Sequence, residues 1–119
     1  MIVENITKDT SIENIEMADS FFAKMKGLML KEKGRVLLKF HREGKYQIWM
    51  ALMRFSIDII GIGKERRVVD IMKAVPLSFN PKTWKLYTPE KCRYILEIED
   101  GLAQKKGWSV GDSLSFAQE

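Results

Sequence analysis

The stretch IWMALMRFSIDIIGIG, residues 48–63, sets the tightest limit on what this chain can become. It is too apolar for a loop. Arg54 and Asp58 interrupt it well short of the ~20 apolar residues that a membrane helix needs. Its second half, SIDIIGIG (56–63), is rich in β-branched residues and is followed by KER and then by RVVDIMKA (67–74). The pair reads as a β-hairpin, with Gly63 placed to turn the chain. Asp58 stands among isoleucines, where an unpaired carboxylate costs on the order of several kcal/mol. It therefore needs partners or water on one side of the sheet. A structural role, bonded to loop amides or to a cation such as Lys24, Lys26 or Arg54, is one reading. A catalytic or ligand-binding role is the other, and it calls for a second titratable group nearby, with His41, Glu97 and Asp112 as the choices.

The rest of the chain follows the same β pattern. IVENIT (2–7) and IENIEM (12–17) read as short strands around the polar turn KDTS. Ala18, Phe21, Phe22, Met25 and Leu28 or Met29 recur at three and four residues, which predicts a helix over 19–26, capped by Asp19 or Ser20 and ended by Gly27. RVLLKF (35–40) and YQIWMAL (46–52) predict a hairpin across HREG. Residues 76–89 hold all three prolines. Proline donates no ladder bond, so a partly irregular connection is expected there. RYILEIE (93–99) alternates, with Tyr94, Leu96 and Ile98 on one side and Arg93, Glu97 and Glu99 on the other with Ile95. DGLAQKKG predicts a second short helix, capped by Asp100 and stopped by Gly107, and DSLSF (112–116) a closing strand. The expected fold is mainly β, or α+β by content: one compact sandwich or barrel over residues 1–119, with two short helices.

Lysine and arginine number 20 against 16 acids, a net charge of +4. A basic surface permits contact with anions, and charge alone is thin support for nucleic-acid binding. The many cations and few amides suit a thermophile. The single cysteine, Cys92, rules out a disulfide within the chain. Lys91 and Arg93 beside it would lower a thiol pKa, but no histidine follows to act as its base, so a small strand residue is the simpler reading. The N-terminus MIVENITKD has neither the basic nor the apolar region of an export signal, which points to the cytoplasm and to no membrane partner.

Sequence signatures of catalysis are missing. His41 is the one histidine, able to move protons near neutrality. No H-x-x-H, CxxC or acid cluster accompanies it, so neither metal nor cofactor is expected. GIGKER fits neither phosphate-loop pattern, and no serine sits in a G-x-S-x-G elbow. Trp49, Trp84 and Trp108 read as strand and core packing, except Trp84. In KTWKLY it lies between lysines within the proline-rich connection, where an exposed ring could serve recognition.

FFAKMKGLML, IWM followed by SIDIIGIG, RVVDIMKAVPLS, RYILEIEDG and KKGWSVGDSLSF occur in an order and spacing that resembles the conserved prokaryotic family of unknown function numbered 192. The resemblance spans about residues 17–116 and implies a jelly-roll-like, mainly β domain. It implies no activity. Where the family pattern has an arginine pair, this chain has Lys24 and Lys26, which keep the charge and lose the planar two-bond grip. Where relatives carry a lysine-asparagine-threonine run, Ala51, Leu52 and Met53 stand here, and Ser56 stands where they have proline. Trp49, Met50, Asp58 and Ile59 match.

The expected function is a non-catalytic accessory domain that binds a small ligand or a protein, with Lys24, Lys26, Trp49, Asp58 and Trp84 as binding candidates and no catalytic residue named. The alternatives are a small hydrolase using Asp58 or His41, and a nucleic-acid binder with a basic surface. A monomer or weak homo-oligomer is expected.

Overall fold

The computed structural model describes residues 1–20, 28–29 and 31–117. Its centre is β6 (Ile57–Ile62), in which every residue is buried. A run of isoleucines with no polar side suits a strand covered on both faces. β6 pairs antiparallel with β7 (Val68–Ala74), through the hairpin predicted from the sequence, and with β9 (Cys92–Glu99). Gly63 and Arg66 close that hairpin, each donating its amide across the turn. β9 pairs in turn with β4 (Val36–Gly44), and β4 pairs in parallel with β3 (Glu16–Ala18). The resulting five-stranded sheet has the order β3-β4-β9-β6-β7.

Each face of this sheet has its own apolar cluster. On one, Ile60, Ile62, Leu96 and Ile98 pack under a three-stranded sheet and a short helix, with Val3, Ile12, Leu114, Phe116, Ala103 and Trp108 closing the layer. The three strands are β1 (Val3–Asn5), β2 (Thr10–Ile12) and β10 (Leu114–Ser115), in the order β10-β1-β2. The helix is α1 (Leu102–Lys105). On the other face, Ile57, Ile59, Ile95, Val36 and Leu38 pack against Met50, Tyr87 and Leu28. Tyr87 lies in, and Met50 directly follows, a two-stranded ribbon of β5 (Ile48–Trp49) and β8 (Leu86–Tyr87). The architecture is mainly β and sandwich-like, and the barrel is not closed.

Four local expectations are corrected. β4 and β5 form no hairpin: HREG continues β4, which reaches Cys92 of β9 at Gly44, and among the described residues β5 pairs only with β8. IENIEM splits, Ile12 ending β2 and Glu16 opening β3. Ala18 ends β3 and so belongs to a strand; the rest of the helix expected over 19–26, with Lys24 and Lys26, lies outside the described residues beyond Ser20. Finally, Asp100 does not cap α1. The cap position is Gly101, in a left-handed conformation (φ 89°) that favours glycine. The connection from Pro76 to Pro89 is partly irregular as expected, and it also holds a 3₁₀ turn (Pro81–Thr83) and β8.

Candidate functional site

Asp58 is 2% exposed and faces the α1 side of the sheet. Its Oδ2 accepts the amides of Gly101 (3.1 Å) and Ala103 (3.0 Å). Its Oδ1 accepts Lys73 Nζ at 3.3 Å, and Lys73 also reaches Asp100 at 2.8 Å. A helix of four residues leaves its first amides without internal partners, and Asp58 satisfies two of them from a neighbouring strand. The carboxylate backs a shallow cavity of about 240 Å³ that Met72, Lys73, Gln104 and Trp108 also line, so it borders an opening although its own oxygens are engaged.

The groups that would complete a catalytic pair with Asp58 are elsewhere. His41 is exposed on β4, two strands away and toward the opposite end of the sheet. Glu97 lies on the other face: its cross-strand neighbours are Val36 and Ile59, whereas Asp58 pairs with Ile98. Asp112 holds the N-terminal turn, accepting Asn5 Nδ2 (2.8 Å), the Ser109 amide (2.9 Å) and Lys8 Nζ (3.0 Å). Burial alone would push its carboxyl up, but the bonds from Asn5, Ser109 and Lys8 outweigh that and hold it below the usual aspartate range.

Glu97, which the alternation placed with Ile95 and opposite Leu96 and Ile98, is a buried acid. At 5% exposure between apolar neighbours, its carboxyl is pushed up to about 7 by burial. Cys92 is fully buried, and loss of hydration raises its thiol to about 11, which removes any activation by Lys91 and Arg93. A groove of about 700 Å³ runs past Asn14, Lys33, Arg35, Phe55 and Glu99. Its arginine is engaged: Arg35 grips Glu99 with two bonds (2.7 and 2.8 Å) and donates to the Glu13 carbonyl. That grip holds the Glu99 carboxyl below its ordinary range. Among the described residues, no group of three or more histidines, cysteines and acids is placed to hold a metal ion. No helix among them is long and apolar enough to cross a membrane.

The unusual surface is the β5–β8 ribbon. Trp49 and Leu86 are cross-strand partners and are 59% and 51% exposed. Trp84 is 63% exposed, with its indole nitrogen donating to the Ser78 carbonyl at 2.7 Å, so the ring is held in place while open to solvent. Leu52 and Phe79 are exposed in the flanking segments. Segments 45–55 and 75–89, which carry these residues, contain Lys45, Arg54, Lys82 and Lys85 and no acid. The chain has 20 cations and 16 acids, so its whole positive excess is carried by these segments. Sequence reasoning singled out Trp84 and listed Trp49, but missed their shared face; counting acids along the chain would have flagged it.

The comparisons agree on family. A UPF0127 protein of Thermococcus kodakarensis is 34% identical over 107 residues, covering 86% of this chain, and the chain spans 64% of that relative's length. A UPF0127 protein of Pyrococcus abyssi is 30% identical over 120 residues, covering 97% of both. These sources are thermophilic archaea. A solved structure of a protein of unknown function from Novosphingobium aromaticivorans superposes with a TM-score of 0.82 at 22% identity, covering 97% of this chain and 83% of that one, a likeness of fold. The model of domain of unknown function 192, described as "Uncharacterized ACR", matches residues 2–116, and the chain belongs to this family.

Proposed function

We propose that this chain is a non-catalytic binding domain that docks a partner on the face of the β5–β8 ribbon. The observation that carries the reading is the exposed pair Trp49 and Leu86, set beside Trp84 on segments that hold cations and no acid. Isolated exposed apolar side chains are ordinary on a protein surface. A group of them rimmed by one sign of charge marks an interaction site. Trp is also the side chain that contributes most to binding when buried at an interface.

The engagement of the acids points the same way. Asp58, Asp112 and Glu99 each hold local structure through several bonds, and His41 is remote from Asp58. Hydrolysis by Asp58 with His41 is therefore the weaker reading.

Amide NMR of the labelled protein, titrated with the lipid, nucleic-acid and protein fractions of a cell extract, tests the proposal. Changes confined to residues 48–52 and 75–87 are expected with one fraction. Changes centred on the cavity behind Asp58, or none with any fraction, would sink it.

A further inference from the structure

We infer that the ribbon face seats on an anionic lipid bilayer surface, an assignment that rests on the docking reading above and names its occupant. The loop from Ser78 to Lys85 carries the argument. Phe79 projects with its ring fully in solvent, and Trp84 lies on the same loop. Every amide N–H from Asn80 to Lys85 is bonded inside the loop: Asn80 to Ser78 Oγ, Lys82 to Asn80 Oδ1, Thr83 to the Asn80 carbonyl, Trp84 to the Pro81 carbonyl and Lys85 to the Thr83 carbonyl, with Pro81 having none to give. The Trp84 indole is bonded to Ser78 as well. A loop whose amide donors are already bonded loses less when part of it leaves water at the headgroup boundary. This loop has bonded its amide donors from Asn80 onward and displays the Phe79 and Trp84 rings outward.

Charge supplies the second half. Lys82 and Lys85 flank Trp84, and among the described residues neither forms an ion pair. Lys45 and Arg54 stand on the adjoining segment and pair with Glu90 (3.6 Å) and Glu32 (3.9 Å), exposed pairs that water and salt weaken. Apolar side chains combined with Lys82 and Lys85, which no acid neutralises among the described residues, match a surface that is hydrocarbon beneath and anionic above. A single-stranded nucleic acid fits less well. Leu52 and Leu86 offer no ring on which a base would stack, the Ser78 and Thr83 hydroxyls are bonded to each other, and Asn80 Oδ1 accepts the Lys82 amide. The missing spanning segment, which set the membrane aside on sequence grounds, has no bearing on a peripheral seat.

Sedimentation of the whole chain with phosphatidylcholine vesicles, with and without about one third phosphatidylglycerol, tests the assignment. The protein is expected to pellet with the anionic vesicles at low salt and to be released at high salt. Emission from Trp49 and Trp84 should shift to the blue, while buried Trp108 is silent. Phe79→Asp should lower the vesicle partition by about tenfold or more. Phe79 touches solvent alone, so this variant is expected to fold, and an unchanged melting curve confirms it. No pelleting with anionic vesicles at low salt, or equal pelleting of Phe79→Asp, overturns the assignment. If a single-stranded oligonucleotide or an acidic peptide shifts the amides of 48–52 and 78–86 while vesicles do not, the lipid is wrong and the docking face stands. If none of the three probes touches the ribbon, both fall.

Discussion

Asp58 Oδ2 accepts the backbone amide of Ala103 at 3.0 Å, a bond between a central strand and a helix 45 residues further along the chain. α1 is too short to be stable alone, since helix nucleation is unfavourable and only four residues are in register. The strand thus supplies the cap that the helix's own sequence lacks. Asp58→Asn keeps the shape, removes the charge and weakens both the amide bonds and the Lys73 pair. It should destabilise folding by about 1–3 kcal/mol, measured by urea unfolding. A variant as stable as the parent would show that the cap contributes nothing.

Glu97 gives the opposite kind of prediction, a pH dependence. Its carboxyl titrates at about 7 in the folded chain, above the ordinary glutamate value of 4.5. Between those two values the native state holds a proton that the unfolded state has released. Stability from this group is therefore complete below the unfolded value and is lost as pH rises toward 7. The total is about 3 kcal/mol at most. Glu97→Gln is permanently neutral, so it should abolish that slope in urea unfolding from pH 5 to 8 and exceed the parent in stability at pH 8. A parent whose stability is flat across this range would remove the basis for the claim.

Asp112 has the reverse sign. Its folded carboxyl lies below the ordinary value of 3.8, so its contribution is present above that value and is lost as pH falls through the folded one. Asp112→Ala also strands the buried Asn5 amide and frees Lys8. The expected cost is about 2 kcal/mol at pH 7, shrinking in acid, where the parent protonates too. Thermal unfolding at pH 7 and pH 3 measures both; an equal loss at the two values would argue that volume, not charge, is what the turn needs.

The need for partners at Asp58 was legible from its isoleucine neighbours. Their identity was not, because amides of a distant loop carry no side-chain signal. The β6–β7 hairpin was legible since its turn is local and polar. β4 and β5 were misread as a hairpin for the same reason: HREG looks like a turn, yet its residues extend β4, and β5 finds its partner across the proline-rich connection. The side of β9 that Glu97 takes, with Ile95 and opposite Leu96 and Ile98, was legible from the alternation, but its burial was not. A second layer, the β5–β8 ribbon, packs over that face of the sheet, and layering depends on contacts that no local pattern reports.

Cys92 closes the argument about reactivity. Its two cationic neighbours left an activated thiol open, with a small strand residue the simpler reading, and the side chain is fully buried in the second core cluster with Ile95 and Ile57. Reaction with a disulfide reagent requires both access and the thiolate, and burial denies the first while raising the thiol to about 11 denies the second. The native chain at pH 8 should react with 5,5′-dithiobis(2-nitrobenzoate) at least about a hundredfold more slowly than the chain in urea, where Cys92 returns to an ordinary thiol. The rate in water then reports opening of the β9 region, and it should rise in Asp58→Asn if the α1 cap and the central strands open together. Rapid labelling of the native parent would place Cys92 in contact with solvent and contradict the packing of that face.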